Sequence, residues 1–287
     1  MSEPVSVLLD GLGLSRRTRI VDVGANPLSE APYAGLLRMG GCDVVGFEPQ
    51  PAAFAKLAEI KSDHETYLPF AVGDGTRKEL KVYRTSGFTS VYEPHVPGMT
   101  YLGGANWAEI TERISMDTVA LDDAEGVGEF DLLKIDIQGG EVDVFKGAER
   151  ALQQAMVVIV ELRYFRLYEG EPMLGGVDDE LRRQGFYLHK FLFNKSVSLT
   201  NSQAGRLRNR RMRDQLIDGD GVYLRDMGLL ASYSDAQVKH LCVTASAVFG
   251  SHTLVLHCLD DLVRRGVAAA DMPSRYVDAL PTDLRWS

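Results

Sequence analysis

Two short segments carry residues able to do chemistry. In Val21-Asp22-Val23-Gly24-Ala25-Asn26 an apolar run ends at Gly24, where the missing side chain permits a tight turn and close approach of a ligand to the backbone. An open α/β sheet binds nucleotides at such a strand end. The run is not the G-x-G-x-x-G of a dinucleotide site, because Asn26 stands at the second glycine position and Ser29 at the third. A pyrophosphate needs those glycines. A ligand without phosphate, such as S-adenosylmethionine, does not, and Asp22 suits its cationic amino group, directly or through water. Without a ligand the same residues make a plain strand–helix turn. Glu48 lies 24 residues past Gly24, at the end of the next apolar run. An acid about 20 residues beyond the glycine turn accepts ribose hydroxyls in such folds, and Pro49 then stops the strand. Asp22, Gly24, Ala25, Asn26, Glu48 and Pro49 are the candidate cofactor-binding residues. Asp74, in Ala-Val-Gly-Asp-Gly, either meets an adenine amino group or forms a turn before Gly75.

The second segment is Leu132–Ala148, LLKIDIQGGEVDVFKGA. Asp136 falls at the carboxyl end of a buried strand and points into the same crevice, so it is a candidate for both cofactor binding and catalysis. Gly139 and Gly140 let the chain turn sharply into a helix. Alternatively Asp136 caps that turn by bonding its amides. Glu161 ends the apolar run MVVIVE and fits three roles: base, substrate ligand or buried structural acid. His95, in an irregular loop, has the intrinsic pKa of a base working near neutrality, or is simply solvated. Tyr101 and Trp107 of that loop line a pocket or anchor the loop. Asp136, Glu141 and Glu161 are too scattered to imply a metal, and none is expected. RLRNRRMR, Arg206–Arg213, holds five arginines. It reads as a solvated loop or as a clamp for a phosphate- or carboxylate-bearing substrate.

These residues must be positioned by alternating strands and helices. Strands are expected at Arg19–Gly24, Asp43–Pro49, Glu65–Asp74, Glu79–Arg84, Phe130–Asp136 and Met156–Leu162, with two closing strands in GFYLHKFLF and GDGVYLRD. Helices are expected at Glu30–Met39, Pro51–Ile60, Glu141–Leu152 and Val177–Gln184. This alternation is that of right-handed βαβ units on a mostly parallel sheet. The stretch from Lys78 to Gly128 is irregular and too long for an ordinary connection, which suggests a lid or binding segment. Beyond about Gly228, Ser234 and Gln237 form a capping box ahead of a helix with Val238, Leu241, Ala245 and Phe249 on one stripe. Two more helices follow. The organisation expected is an N-terminal segment 1–17, a cofactor-binding domain 18–227 and a helical C-terminal appendage 228–287. The apolar stripe needs cover, either from the domain or from a second copy in a homodimer.

Composition narrows the function classes. The chain has 287 residues, is 45% hydrophobic and 25% charged, and carries a net charge of −9, the make-up of a soluble globular chain. A general nucleic-acid binder should be basic, so none is expected as partner. Three cysteines with no C-x-x-C make neither a disulfide scaffold nor a zinc site and fit a reducing cytoplasm. No basic region precedes the first apolar run, and no run reaches the ~18 apolar residues of a membrane span.

In order and spacing, IVDVGAN, VVGFEPQPAAFAKL, LPFAVGDG, TSVYEP and LLKIDIQGGEVDVFKGAERAL resemble the FkbM family of S-adenosylmethionine-dependent methyltransferases. The resemblance covers about Thr18 to Asp226. It implies a Rossmann-like class I methyltransferase fold, S-adenosylmethionine as cofactor, and methylation of a hydroxyl oxygen on a sugar, glycan or other small metabolite. The family element K-I-D-x-E-G-x-E is matched by Lys134, Asp136, Gly139 and Glu141, with Gln138 at the frequent Glu position; Leu28 replaces the last glycine of D-V-G-A-N-x-G. Two other readings of these residues exist. An NAD-dependent Rossmann-type oxidoreductase or epimerase lacks its glycines here. A binding protein with a vestigial pocket is opposed by the intact Asp22, Gly24, Glu48 and Asp136.

Overall fold

The computed structural model describes residues 3–27, 30–208 and 211–286. Leu28, Ser29 and Arg210, which enter the motif readings above, lie outside them. Seven strands form the main sheet: β1 (Thr18–Val23), β2 (Cys42–Phe47), β3 (Glu65–Leu68), β7 (Leu132–Ile135), β8 (Val157–Arg163), β9 (Phe186–Val197) and β10 (Gln215–Arg225). Their spatial order is β3-β2-β1-β7-β8-β10-β9. The first five run parallel, and β10 is antiparallel to both its neighbours. This is an α/β sheet whose order reverses between β1 and β7, the place where such folds open a ligand crevice. Strand β8 reads as a continuous apolar run because both its faces are covered; Val157, Val158, Ile159 and Val160 are all buried.

One face of the sheet is covered by α5 (Glu141–Lys146) and α6 (Leu174–Arg183). The other is covered by α1 (Glu3–Gly11), α2 (Ala34–Arg38), α7 (Asp235–Ala247), α8 (His252–Arg264) and α9 (Met272–Ala279). Helix α3 (Pro51–Ile60) follows β2. The expected capping box at Ser234 and Gln237 is formed. The stripe Val238, Leu241, Ala245 and Phe249 is buried in one core with Ile20, Leu132, Ile159 and Val222 of the sheet. Its cover is therefore this chain's own sheet rather than a second copy. Segments 1–17 and 228–287 thus share a core with strands of 18–227, so the expected leader and appendage together build one helical layer. A truncation after Asp226 should leave that sheet face bare. Fully burying a Val, Leu or Phe side chain contributes about 1.5–3 kcal/mol, and Val238, Leu241, Phe249, Val255, Leu259 and Leu262 are lost together. That amounts to roughly 9–18 kcal/mol, comparable to a domain's whole net stability. The truncated chain should show no cooperative melting transition, and a transition near that of the full chain would refute the shared core.

The region expected to be irregular is partly ordered. The expected third strand, Glu65–Asp74, divides at Pro69. Its second half, β4 (Ala71–Gly73), leaves the main sheet to pair with β6 (Ile110–Ala120), which also pairs with β5 (Arg77–Tyr83). Strand β6, ITERISMDTVA, buries little, so hydrophobic patterning does not reveal it. It is held by its ladder and by cross-strand ion pairs from Arg113 to Glu79 and from Arg77 to Asp117. Between β5 and β6, α4 (Val96–Tyr101) packs on the β8–α6 connection, and Trp107 stacks on Phe88. Tyr101 stacks on Phe165. Both aromatics of this loop anchor it. The expected helices Glu30–Met39 and Glu141–Leu152 are shorter, at Ala34–Arg38 and Glu141–Lys146. Among the described residues no helix is long and apolar enough to cross a membrane.

Candidate active site

A cleft of about 1120 Å³, counting its open mouth, lies over the carboxyl ends of β1, β2 and β7. Its lining includes Gly24, Asn26, Glu48, Pro49 and Asp136, all expected from the sequence. The small sheet supplies the opposite wall through Ala71, Val72, Lys78, Met116 and Thr118.

Gly24 has φ +83°. Its N–H and that of Ala25 donate to the Phe47 carbonyl at 3.1 and 3.0 Å, and the Asp136 N–H donates to the Val23 carbonyl at 3.1 Å. A Cβ on Gly24 would sit 2.1 Å from the Asp136 carbonyl oxygen. Only glycine lets β1 and β7 close here, which leaves backbone rather than side chain facing the cleft. Ala25 is buried behind it.

Glu48 is 6% exposed. One of its oxygens accepts from the Gln50 N–H at 2.7 Å. Burial pushes its carboxyl up to about 7, against that hydrogen bond and with Asp22 adding to the rise. Asp22 lies deeper than expected for a direct cofactor ligand. It accepts from the Tyr33 hydroxyl at 2.6 Å and pairs with Lys134 Nζ at 3.2 Å. Burial works against the Lys134 charge, but Asp22 and Asp136 hold its pKa above the ordinary value. Lys134 itself lines the cleft, so the Asp22 charge reaches the cleft through a cation. Asp74 does not line it. Its carboxylate accepts from the Thr76 N–H at 3.0 Å, from the Thr76 hydroxyl and from Lys78 Nζ at 2.9 Å, the turn-forming role of an Asp before glycine. These bonds, working against desolvation, draw its carboxyl down to about 2.

The cleft's lining residues all fall within Asp22 to Leu188, and that span matches the methyltransferase FkbM domain, residues 22–188. The chain belongs to the FkbM methyltransferase family. It is similar to the 2-O-methyltransferase NoeI of Sinorhizobium fredii, with 29% identity over 180 residues, 56% of this chain and 70% of that one. Among solved structures, a SAM dependent methyltransferase from Aquifex aeolicus aligns over 77% of this chain and 89% of its own, with 11% identity and a TM-score of 0.35. The 23S rRNA methyltransferase ErmE aligns over 96% of both chains, with 12% identity and a TM-score of 0.34. At such scores the fold assignment rests on the strand order of this chain itself. The cofactor of this methyltransferase is S-adenosylmethionine, and the cleft fits it. Gly24 leaves room at the backbone, and Glu48 lines the cleft with only one of its carboxyl oxygens engaged, by the Gln50 N–H.

Beyond the β7 end the methyltransferase gathers its acids around Gln138. This residue adopts φ 60° and is the one non-glycine with positive φ among the described residues. Its amide nitrogen donates to Asp136 Oδ1 at 3.0 Å and to Glu161 Oε2 at 2.9 Å. Its amide oxygen accepts from Arg163 at 3.0 Å and from the Tyr168 hydroxyl at 3.2 Å. A carboxylate in this place could donate to neither acid. The Gln therefore bridges two acids without adding a third negative charge to a crowded site. Glu161 also pairs with Arg163 at 2.9 Å. Burial, then Asp136, hold its carboxyl well above the usual range, with Arg163 opposing them. The Gly139 turn is capped by Glu141, which accepts from the Ile137 and Gly139 N–H groups at 3.0 and 3.2 Å. Asp136 is thereby left clear of that turn.

His95 is not brought to the cleft. Its Nδ1 lies 2.7 Å from Glu169 Oε1 and its Nε2 2.9 Å from the Arg166 guanidinium, so both ring nitrogens are engaged. The described arginines of Arg206–Arg213 are exposed. Sequence reasoning did not single out Arg163, whose only signal is a lone cation ending an apolar strand. It is 4% exposed and meets Glu161, Glu171 and Asp218. Among the described residues no three His, Cys, Asp or Glu side chains are arranged to hold a metal ion.

Proposed function

We propose that this enzyme methylates a hydroxyl oxygen on a sugar, glycan or related small metabolite. The observation that carries this reading is Asp136. It stands at the cleft mouth on a rigid strand end, with only one oxygen taken by Gln138. A carboxylate so placed accepts a hydrogen bond from a hydroxyl and orients it. The name of the relative NoeI, a 2-O-methyltransferase, supports the same reading. When bound, S-adenosylmethionine supplies an electrophilic methyl group and its own leaving group. The chain's work is then alignment, exclusion of water and removal of the acceptor proton. We assign Gly24, Asn26, Glu48 and Pro49 to the cofactor, with Asp22 acting through Lys134. Asp136 and Glu161 are assigned to the acceptor side. A small acceptor rather than nucleic acid agrees with the net charge of −9. The three cysteines, all buried and free, agree with a cytoplasmic setting.

The test has two arms. In calorimetry Glu48→Ala should weaken S-adenosylmethionine binding roughly 10- to 100-fold, since a lost hydrogen bond to a charged group costs about 1.5–3 kcal/mol. A ribose diol prefers the ionised carboxylate, so wild-type affinity should fall as pH drops through about 7, and Glu48→Gln should flatten that profile. Unchanged binding in Glu48→Ala would place the cofactor elsewhere. In the second arm methyl-labelled cofactor is offered to a panel of methyl glycosides and nucleotide sugars. Label appearing as a methyl ether supports the acceptor class, and label only on amines overturns it.

A further inference from the structure

Strand register sets three carboxylates in one row. Val23 pairs with Ile135, and Ile135 with Val160. One residue further along, Gly24, Asp136 and Glu161 therefore stand side by side at the carboxyl edge. Glu161 in turn pairs with Asp220 of β10. Side chains in one row of a sheet share a face, so Asp136, which lines the cleft, Glu161 and Asp220 look the same way, with the row running on from the cleft across β8 to β10. The first two are held. Gln138 donates to both, and Arg163 also neutralises Glu161. Asp218, two residues before Asp220, is held by Arg163 and Lys195. Among the described residues the Asp220 side chain has no hydrogen bond and no ion pair within 4 Å, and Lys134 acts on it only from further away.

The backbone around Asp220 is specialised as well. The β10–β9 ladder slips between Asp220 and Gly221, where Leu192 of β9 is the extra residue and Asp220 keeps its pairing with Phe193. Gly219 and Gly221 flank it. A Cβ on Gly219 would lie 2.7 Å from the Tyr164 hydroxyl and one on Gly221 2.5 Å from Leu162. The strand thus gives up two side chains beneath this point and keeps the one acid above it.

We propose that Asp220 is a catalytic residue of the acceptor side, taking the proton of the hydroxyl that is methylated. This rests on the O-methyltransferase reading above. The hydroxyl oxygen forms the new O–C bond, and its proton passes to Asp220 Oδ. The C–S bond breaks with its electron pair remaining on sulfur, and Asp220 later returns the proton to water. Gln138 and Arg163 meanwhile keep Asp136 and Glu161 as hydrogen-bond acceptors that orient the acceptor. The charged groups facing Asp220 are Asp136 and Lys134 on β7, Glu161 on β8 and Asp218 on its own strand, while its partner on β9 is the uncharged Phe193. Burial first, then Asp136, raise its carboxyl to about 6, with Lys134 opposing, which suits a base near neutrality.

Asp220→Asn keeps the shape and removes the base. Melting temperature should not fall, and S-adenosylmethionine affinity should stay within about twofold of wild type. Transfer to the methyl glycoside best accepted in the panel should fall about 100-fold or more. Independently of turnover, the aspartate carboxyl carbon signal missing from the Asp220→Asn spectrum should titrate near 6 in wild type. Adding that glycoside to the cofactor-loaded enzyme should shift it. A variant within about threefold of the wild-type rate, or a signal blind to the glycoside, overturns the assignment. A wild-type enzyme that binds cofactor yet methylates only amines overturns the acceptor reading instead, so the two failures are distinguishable.

Discussion

Arg163→Met should be the most damaging single substitution in the sheet, and its damage should depend on pH. Arg163 is buried and meets Glu161 at 2.9 Å, Asp218 at 3.0 Å and Glu171 at 3.3 Å. Removing one partner of a buried ion pair typically costs about 3–5 kcal/mol, because the remaining charge is left uncompensated. Here three acids lose the same cation. Burial raises the carboxyls of Glu161 and Glu171, and Arg163 opposes both rises. Without Arg163 both rise further. A carboxyl whose folded-state pKa lies above its unfolded value binds more protons when folded, so stability falls as pH climbs above the unfolded value of about 4.3. The variant should therefore be least stable at neutral and alkaline pH and recover in mild acid. Melting curves from pH 5 to 8 would show the deficit widening with pH. A deficit of under about 1 kcal/mol at pH 8 would mean that this network is not held by its cation.

Gly24→Ala should abolish cofactor binding rather than weaken it. The residue's φ of +83° costs a residue with a side chain about 1–3 kcal/mol. The added Cβ would also meet the Asp136 carbonyl at 2.1 Å, far inside contact distance and against backbone that cannot rotate away. The strand ends must part, which displaces Asp136 and breaks the turn that lines the cleft. S-adenosylmethionine affinity should drop more than about 100-fold, with a lower melting temperature. Calorimetry and melting on the same preparation check both, and wild-type affinity in Gly24→Ala would remove this turn from the binding site.

The difference between what was and was not legible in the sequence has a physical basis. Gly24, Glu48 and Asp136 end strands that are apolar on both faces, so pattern locates the strand and geometry then fixes where its last residue points. Strand β6 is mostly exposed and paired through its backbone, and exposed backbone pairing leaves no hydrophobic period to read. Asp22 was recognisable as important, but its partners Tyr33 and Lys134 come from the turn before α2 and from another strand, a contact set only by the three-dimensional register. Asp74 and His95 show the converse. Each has a residue type suited to chemistry, yet local bonds to Thr76 and Lys78 engage Asp74, and contacts distant in sequence, to Glu169 and Arg166, engage His95. Gln138 stood out only as a departure from a family motif; its role depends on four partners spread from Asp136 to Tyr168.

The helical layer made by α1 with α7–α9 also sets a timetable for synthesis. Ile20 and Leu132 bury against Val238 and Leu241, so β1 waits for residues made more than 200 positions later. At about 5–20 residues per second, that wait is roughly 10–40 s. During it the nascent chain carries a bare apolar sheet face around Ile20 and Leu132. The core on this face should accordingly close only once α7 has emerged, and holding chaperones are expected to bind the chain during that interval.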